Sequence, residues 1–191
     1  MRNNLPFINV YSKKNNKSKI VTQLLYGETF KKIEKKGSWL KIKNDTDNYK
    51  GFVKKRSFSK NQKNTHKIYS LSASLYSKPK IRINKKLSFG SKIKVTEKNK
   101  NFYKFDSLWI KKKDLKLINY RSRNIFKNVK KFINTRYKWG GKSYNGIDCS
   151  ALVQLLFNFN NKFCPRDTKD QIKYFKKKIN IKNIRKNDLI F

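Results

Sequence analysis

The 191-residue chain carries 50 Lys and Arg against 11 Asp and Glu, a formal net charge of +39 at pH 7. Its 37% apolar and 14% aromatic content, with 14 Phe, 10 Tyr and 3 Trp spread along the length, excludes a disordered tail and is enough for real cores. Two cysteines and one histidine exclude a disulfide framework and an ordinary zinc site, so no cofactor or metal is expected.

The charge alone suggests nucleic acid or an anionic surface as partner. However, 42 of the 50 basic residues are Lys and 8 are Arg, and Lys, Asn and Ile (42, 23 and 18) dominate, as A/T-rich codons would produce. A nucleic-acid reader favours Arg forks, and no such module is recognisable. No specific nucleic-acid partner is expected. The opening "MRNNLPFINVYSKK" lacks the apolar core of a signal peptide, and no run is long enough to span a membrane. The expectation is a cytoplasmic monomer, with a periplasmic location as the alternative.

The first 118 residues contain a faint duplication. "VYSK" at 10–13 returns as "LYSK" at 75–78, and "LLYGETFKKIE" at 24–34 as "KLSFGSKIKVT" at 86–96, which matches Gly27 to Gly90. "GSWLKI" at 37–42 matches "NFYKF" at 101–105, and "GFVKK" at 51–55 matches "LWIKK" at 108–112. Short alternating runs (Phe30 and Ile33; Trp39, Leu40 and Ile42; Phe52 and Val53) predict two small barrels of about five or six strands. Their boundaries are 5–58 and 66–118. Residues 55–66 read as a linker, with His66 solvated in it. Two unrelated β-rich segments would give similar short matches in so Lys-rich a chain.

Beyond residue 120 the period changes. Ile125, Phe126, Val129, Phe132 and Ile133 fall at helical spacing behind Ser122, a reasonable N-cap, and the helix ends near Asn134. "RYKWGGKSYNG" cannot continue it, because Gly140, Gly141 and Gly146 mark a turn. Apolar residues then resume from Ala151 to Phe159 on nearly every helical face, predicting a buried helix with Cys149 in its first turn. A helix N-terminus presents unpaired N–H groups and a positive dipole end, which favour thiolate over thiol and can serve an oxyanion. Asp148 and Ser150 flank the sulfur, where they could cap the helix or hydrogen-bond a substrate. The bland alternative is a small buried cysteine behind an ordinary Asp cap. Thr168 and Gln171 read as a capping box opening a further helix with Ile172 and Phe175 inward. Arg166 reads as structural.

"YKWGGKSYNGIDCSALVQ", then "CPRDTKDQ" at 164–171 and "RKNDLIF" at 185–191, resemble in order and spacing the nucleophile motif and following segments of the NlpC-type murein cysteine peptidases. A glycine after "LLY", the "GSW" hairpin and "GFV" resemble the bacterial SH3-like domain. Two such units ahead of the peptidase segment resemble the γ-D-glutamyl-L-diamino-acid endopeptidase (dipeptidyl-peptidase VI) group. The resemblance implies a multi-domain chain: two small SH3-like all-β barrels followed by a partial α+β papain-like cysteine peptidase domain at 121–191. It implies Cys149 as nucleophile on murein peptides, L-Ala-γ-D-Glu-diamino acid. Asp148 and Ser150 would hold the substrate backbone, and Glu28 and Tyr49 in the first SH3-like domain match the places that select a free amine. A surface carboxylate and a barrel-core Tyr remain equally compatible with those two positions. Ala151, Asn187 and Arg136 depart tolerably from the family's usual glycines and proline.

The family's catalytic histidine follows the "GDL(I/V)F" strand, and this chain stops at Phe191, the last residue of that match. The expectation is therefore an incomplete peptidase domain with impaired turnover. Two other functions compete with it: a non-catalytic wall-binding module and a basic polyanion-binding protein.

Overall fold

The computed structural model describes residues 1–176 and 178–191. Alternation in the first unit becomes β1 (Phe7–Tyr11), β2 (Ile20–Leu25), β3 (Phe30–Lys36), β4 (Trp39–Asn44) and β5 (Lys50–Lys54). They form an antiparallel sheet of order β2-β1-β5-β4-β3. Because successive strand side chains face opposite ways, Val10, Leu24, Phe30, Leu40, Ile42 and Val53 meet in one core. Ile33 does not join them. The β3–β4 register slips between Lys32 and Glu34, and this bulge turns Ile33 to solvent.

The second unit contains β6 (His66–Ile68), β7 (Ser72–Lys78), β8 (Ile81–Ser88), β9 (Lys92–Ile93), β10 (Glu97–Lys98), β11 (Phe102–Phe105), β12 (Leu108–Lys111) and β13 (Leu115–Leu117). Its five-stranded sheet runs β10-β11-β12-β7-β8, which read from β8 repeats the connectivity of the first, and β13-β6-β9 forms a second sheet. The matched glycines have nearly the same left-handed backbone, φ 81° at Gly27 and 82° at Gly90. At Gly27 any Cβ would run into the backbone of Lys92. His66 is not a solvated linker residue: it opens β6, pairs across to Leu117 and Ile93, and is only 6% exposed.

The third unit has the β14 (Lys142–Ser143) and β15 (Gly146–Ile147) hairpin, α1 (Cys149–Phe159) and α2 (Thr168–Phe175). A 3-10 helix spans Ile125–Phe132. Its cap is Asn124, whose side chain accepts from the Phe126 amide, and not Ser122. The Ser122 amide donates to Asn160 Oδ1 and its hydroxyl accepts from Asn128. Asn128 is thereby drawn inward while Val129 and Ile133 lie exposed. No strand forms at "NDLIF": among the described residues nothing pairs with it, and Ile190 is 80% exposed. No described helix is long and apolar enough to cross a membrane.

The three units share residues across their seams. Tyr26 of the first joins the core of the second, whereas Leu25 and Phe89 enter the core around Phe132, Ala151, Leu155, Leu156 and Phe159. Phe89 stacks on Phe159 with ring centroids 4.4 Å apart. Burial of each such ring is worth about 2–3 kcal/mol. Lys67, also buried, reaches the end of α1 and donates to the carbonyls of Phe159 (2.6 Å) and Tyr120 (2.7 Å), where the dipole favours a cation. Burial, then Lys92 and Arg121, push its ammonium down to about 8.

Candidate active site

The glycine turn folds as it does because it must pass the first β unit. Gly140, at φ 70°, lies so close to the Ile20 carbonyl that no side chain fits, and its amide donates to Asp148 Oδ2 at 2.9 Å. The chain then turns through β14 and β15 and starts α1. Asp148 is the N-cap, accepting from the Ala151 amide at 2.8 Å. Cys149 is the first residue of α1 and is exposed. Its amide and that of Ser150 have no acceptor among the described residues. Tyr137 (64% exposed) and Trp139 (68%) present open rings from the same turn.

Beneath the cysteine, Asp148, Ser150 and Arg166 are tied to one another. Arg166 grips Asp148 with Nη1 to Oδ1 at 3.0 Å and Nη2 to Oδ2 at 2.6 Å. The same Nη1 donates to the Ser150 hydroxyl, and Nε donates to Thr22 of the first unit. Ser150 in turn donates to Asp148 Oδ1. Gln171 does not close a capping box. Its amide group donates to the carbonyls of Ser150 and Pro165, each at 2.9 Å, and α2 begins at the N-cap Asp167 without a side-chain cap. Ile172 faces solvent.

Asp148 and Ser150, which the resemblance casts as holders of a substrate backbone, form a cluster with Arg166. Both are buried, and their oxygens are taken up by the cap, Arg166 and one another. Glu28 is likewise buried and is no surface carboxylate: Lys142 Nζ, in a side chain of 1% exposure, donates to Oε1 at 2.9 Å and Oε2 at 3.0 Å. Glu28 Oε2 also accepts from the Leu25 amide. Three donated hydrogen bonds already occupy its carboxylate. Tyr49 is half-buried at the seam rather than in the barrel core, and its hydroxyl donates to Asp167 at 3.0 Å.

Sequence reasoning missed Lys142, Asp47 and Asp167. Gln154 of α1 donates to Asp47 at 2.9 Å, and burial raises the Asp47 carboxyl above its usual range. One signal was available: only 11 acids occur in the chain, and Glu28, Asp47, Asp148 and Asp167 gather here. Cys164, by contrast with Cys149, is fully buried, and burial followed by Asp47 pushes its thiol up to about 12.

Comparison with known proteins follows this division. The NlpC/P60 family model matches residues 134–191, and the bacterial SH3 domain model matches residues 5–59. A gamma-D-glutamyl-L-lysine dipeptidyl-peptidase of Bacillus subtilis is 25% identical over 193 residues, covering 90% of this chain and 64% of the relative. A protein of the same name from Bacillus cereus is 23% identical, covering 92% and 61%. The dipeptidyl-peptidase 6 of Lysinibacillus sphaericus is 37% identical over 68 residues, 36% of this chain and 25% of that one. The chain thus spans less than two thirds of the length of the two Bacillus relatives. The crystal structure of an NlpC/P60 family protein from Bacillus cereus superposes with a TM-score of 0.77 at 17% identity, covering 90% of this chain and 76% of that one, which supports the fold. The chain joins a bacterial SH3 domain at 5–59 to a segment of the NlpC/P60 family at 134–191.

Proposed function

We propose that the protein is a murein peptide hydrolase in which Cys149 attacks the γ-D-glutamyl carbonyl of an L-Ala-γ-D-Glu-diamino-acid peptide. The observation that carries this reading is the exposed cysteine at the first position of α1, beside the Asp148–Arg166–Ser150 cluster. Rigid support of that kind holds a nucleophile in an attack geometry. The thiolate adds to the carbonyl carbon, and the unpaired amides of Cys149 and Ser150 receive the developing oxyanion. The C–N bond then breaks, the departing amine takes a proton, and water hydrolyses the thioester. The relatives' names favour L-lysine as the diamino acid.

Selection of a free N-terminal amine falls to Tyr49 and Asp167, the half-exposed polar pair at the seam, since Glu28 already holds an ammonium of its own chain. The second β unit, with its repeated strand order, is a second SH3-like barrel in this reading, giving domains at 5–58, 66–118 and 121–191.

A base is also required. The one histidine, His66, packs edge-on against Tyr103 in the second unit. The 191-residue chain is accordingly expected to alkylate readily at Cys149 but to hydrolyse slowly. The experiment is iodoacetamide labelling read by mass spectrometry, beside release of L-Ala-γ-D-Glu from L-Ala-γ-D-Glu-L-Lys with and without added imidazole. One label on Cys149, none on Cys164, and imidazole-stimulated release abolished by Cys149→Ala are expected. Release that survives Cys149→Ala, or labelling at Cys164 instead, defeats the mechanism. Rapid release without imidazole defeats the claim of impairment.

A further inference from the structure

The second β unit carries a groove of ≈ 1150 Å³ that takes no part in the cysteine site. Its floor is aromatic: Tyr76 and Phe102 meet edge to face at 5.0 Å, beside His66 against Tyr103 at 5.6 Å. The walls are cationic. Lys80 comes from the turn before β8, Arg82 from the start of that strand, Lys98 from β10 and Lys111 from the end of β12. Lys112 and Lys113 follow on the turn into β13, and Lys116 lies within that strand.

Codon bias explains the chain's overall charge but not this concentration. Seven of the fourteen lining residues are Lys or Arg, against fifteen of fifty-three in the unit as a whole, and no lining residue is acidic. The unit's three acids are engaged elsewhere. Glu97 pairs with Lys104 at 3.1 Å, Asp106 with Tyr26 and Arg2, and Asp114 accepts from the Ser70 hydroxyl. Like charges held around a concavity with low-dielectric walls focus a field on whatever enters it.

We propose that this groove binds a linear phosphate polymer, either a phosphoanhydride or a polyol phosphodiester chain. The volume exceeds that of a typical small-ligand pocket and accommodates several repeats. The cations are spread around the rim rather than converging on one point. All but Arg82 are ammonium groups on flexible stems, suited to a charged chain of no fixed geometry. Base stacking, the usual means of gripping single-stranded nucleic acid, is disfavoured. Lys98 Nζ stands 5.7 Å above the Tyr103 ring and Lys111 Nζ 5.8 Å above Tyr76, covering the faces a base would need.

The test titrates the purified chain with long-chain inorganic polyphosphate, with poly(glycerol phosphate) and with a mixed-sequence single-stranded DNA of matched charge, at physiological salt and at a higher salt concentration. The groove variant is Arg82→Gln/Lys112→Gln/Lys113→Gln. The control, Lys13→Gln/Lys14→Gln/Lys17→Gln, removes the same charge from the first unit. All six side chains are exposed, so both variants should fold. The groove variant should weaken phosphate-polymer binding about tenfold and flatten its salt dependence, while the control stays within about twofold. The tighter of the two phosphate polymers identifies the source. Equal weakening by both variants, or tighter binding of the DNA than of either polymer, overturns the proposal.

Discussion

The two β units share a strand order and a left-handed glycine at the same point, yet they serve the molecule differently. After Gly27 the first unit has Glu28, which meets Lys142 of the third unit. After Gly90 the second has Ser91, whose buried hydroxyl has no partner among the described residues. Between β4 and β5 the first unit inserts five residues, 45–49, and from that longer hairpin Asp47 reaches Gln154 and Tyr49 reaches Asp167. Between β11 and β12 the second has two residues, and Asp106 turns back to Tyr26. A repeated backbone therefore does not imply repeated chemistry. Glu28 and the longer hairpin give the first unit polar contacts to the cysteine-bearing unit, whereas the second unit meets it through Phe89 and Lys67.

The largest test of that contrast is the buried ion pair. Glu28→Gln and Lys142→Met, made singly, should each lower unfolding free energy by about 3–5 kcal/mol in denaturant titrations, because each leaves a buried charge without its partner. Ser91→Ala, the matched change in the second unit, should shift stability by less than about 1 kcal/mol in either direction. If Ser91→Ala proves as damaging as Glu28→Gln, the two units are not unequal in the way described. A smaller effect attaches to the longer hairpin. Tyr49→Phe removes a hydrogen bond to a half-exposed carboxylate and should cost about 1.5 kcal/mol by the same titration, leaving the first unit's own sheet intact.

The smallest effect concerns how the second unit holds α1, through Lys67. Its ammonium is pushed down to about 8 from the ordinary 10.5. Between those values the unfolded chain binds more protons than the folded one, so this residue makes stability rise with pH across that window. Below pH 8 the disadvantage of the buried ammonium is fully present. Lys67→Met should flatten that rise in melting temperature between pH 8 and 10.

Local features were legible from residues alone. The start of α1 at Cys149 behind an Asp cap follows from glycines that break the chain and an apolar run that resumes. The duplication at Gly27 and Gly90 survives as matching backbone angles. Elements that depend on a neighbour were not legible. "NDLIF" has strand composition, but a strand exists only where another pairs with it. Ser122 is a good cap by type, yet Asn124 two residues on captures the Phe126 amide while Ser122 is drawn to Asn160 and Asn128.

The sequence by itself determined the order of the units, the turn before α1 and the position of its cysteine at a helix start, because sterics and hydrogen bonding within a few residues set those features. Only the tertiary structure decided that Asp148 and Ser150 are braces under that cysteine, that Glu28 answers Lys142, and that Tyr49 meets Asp167. These partners lie 114 and 118 residues apart in the last two cases. Periodicity reports which face of an element is buried but not what it is buried against, and two buried lysines among 42 carry no mark in the sequence.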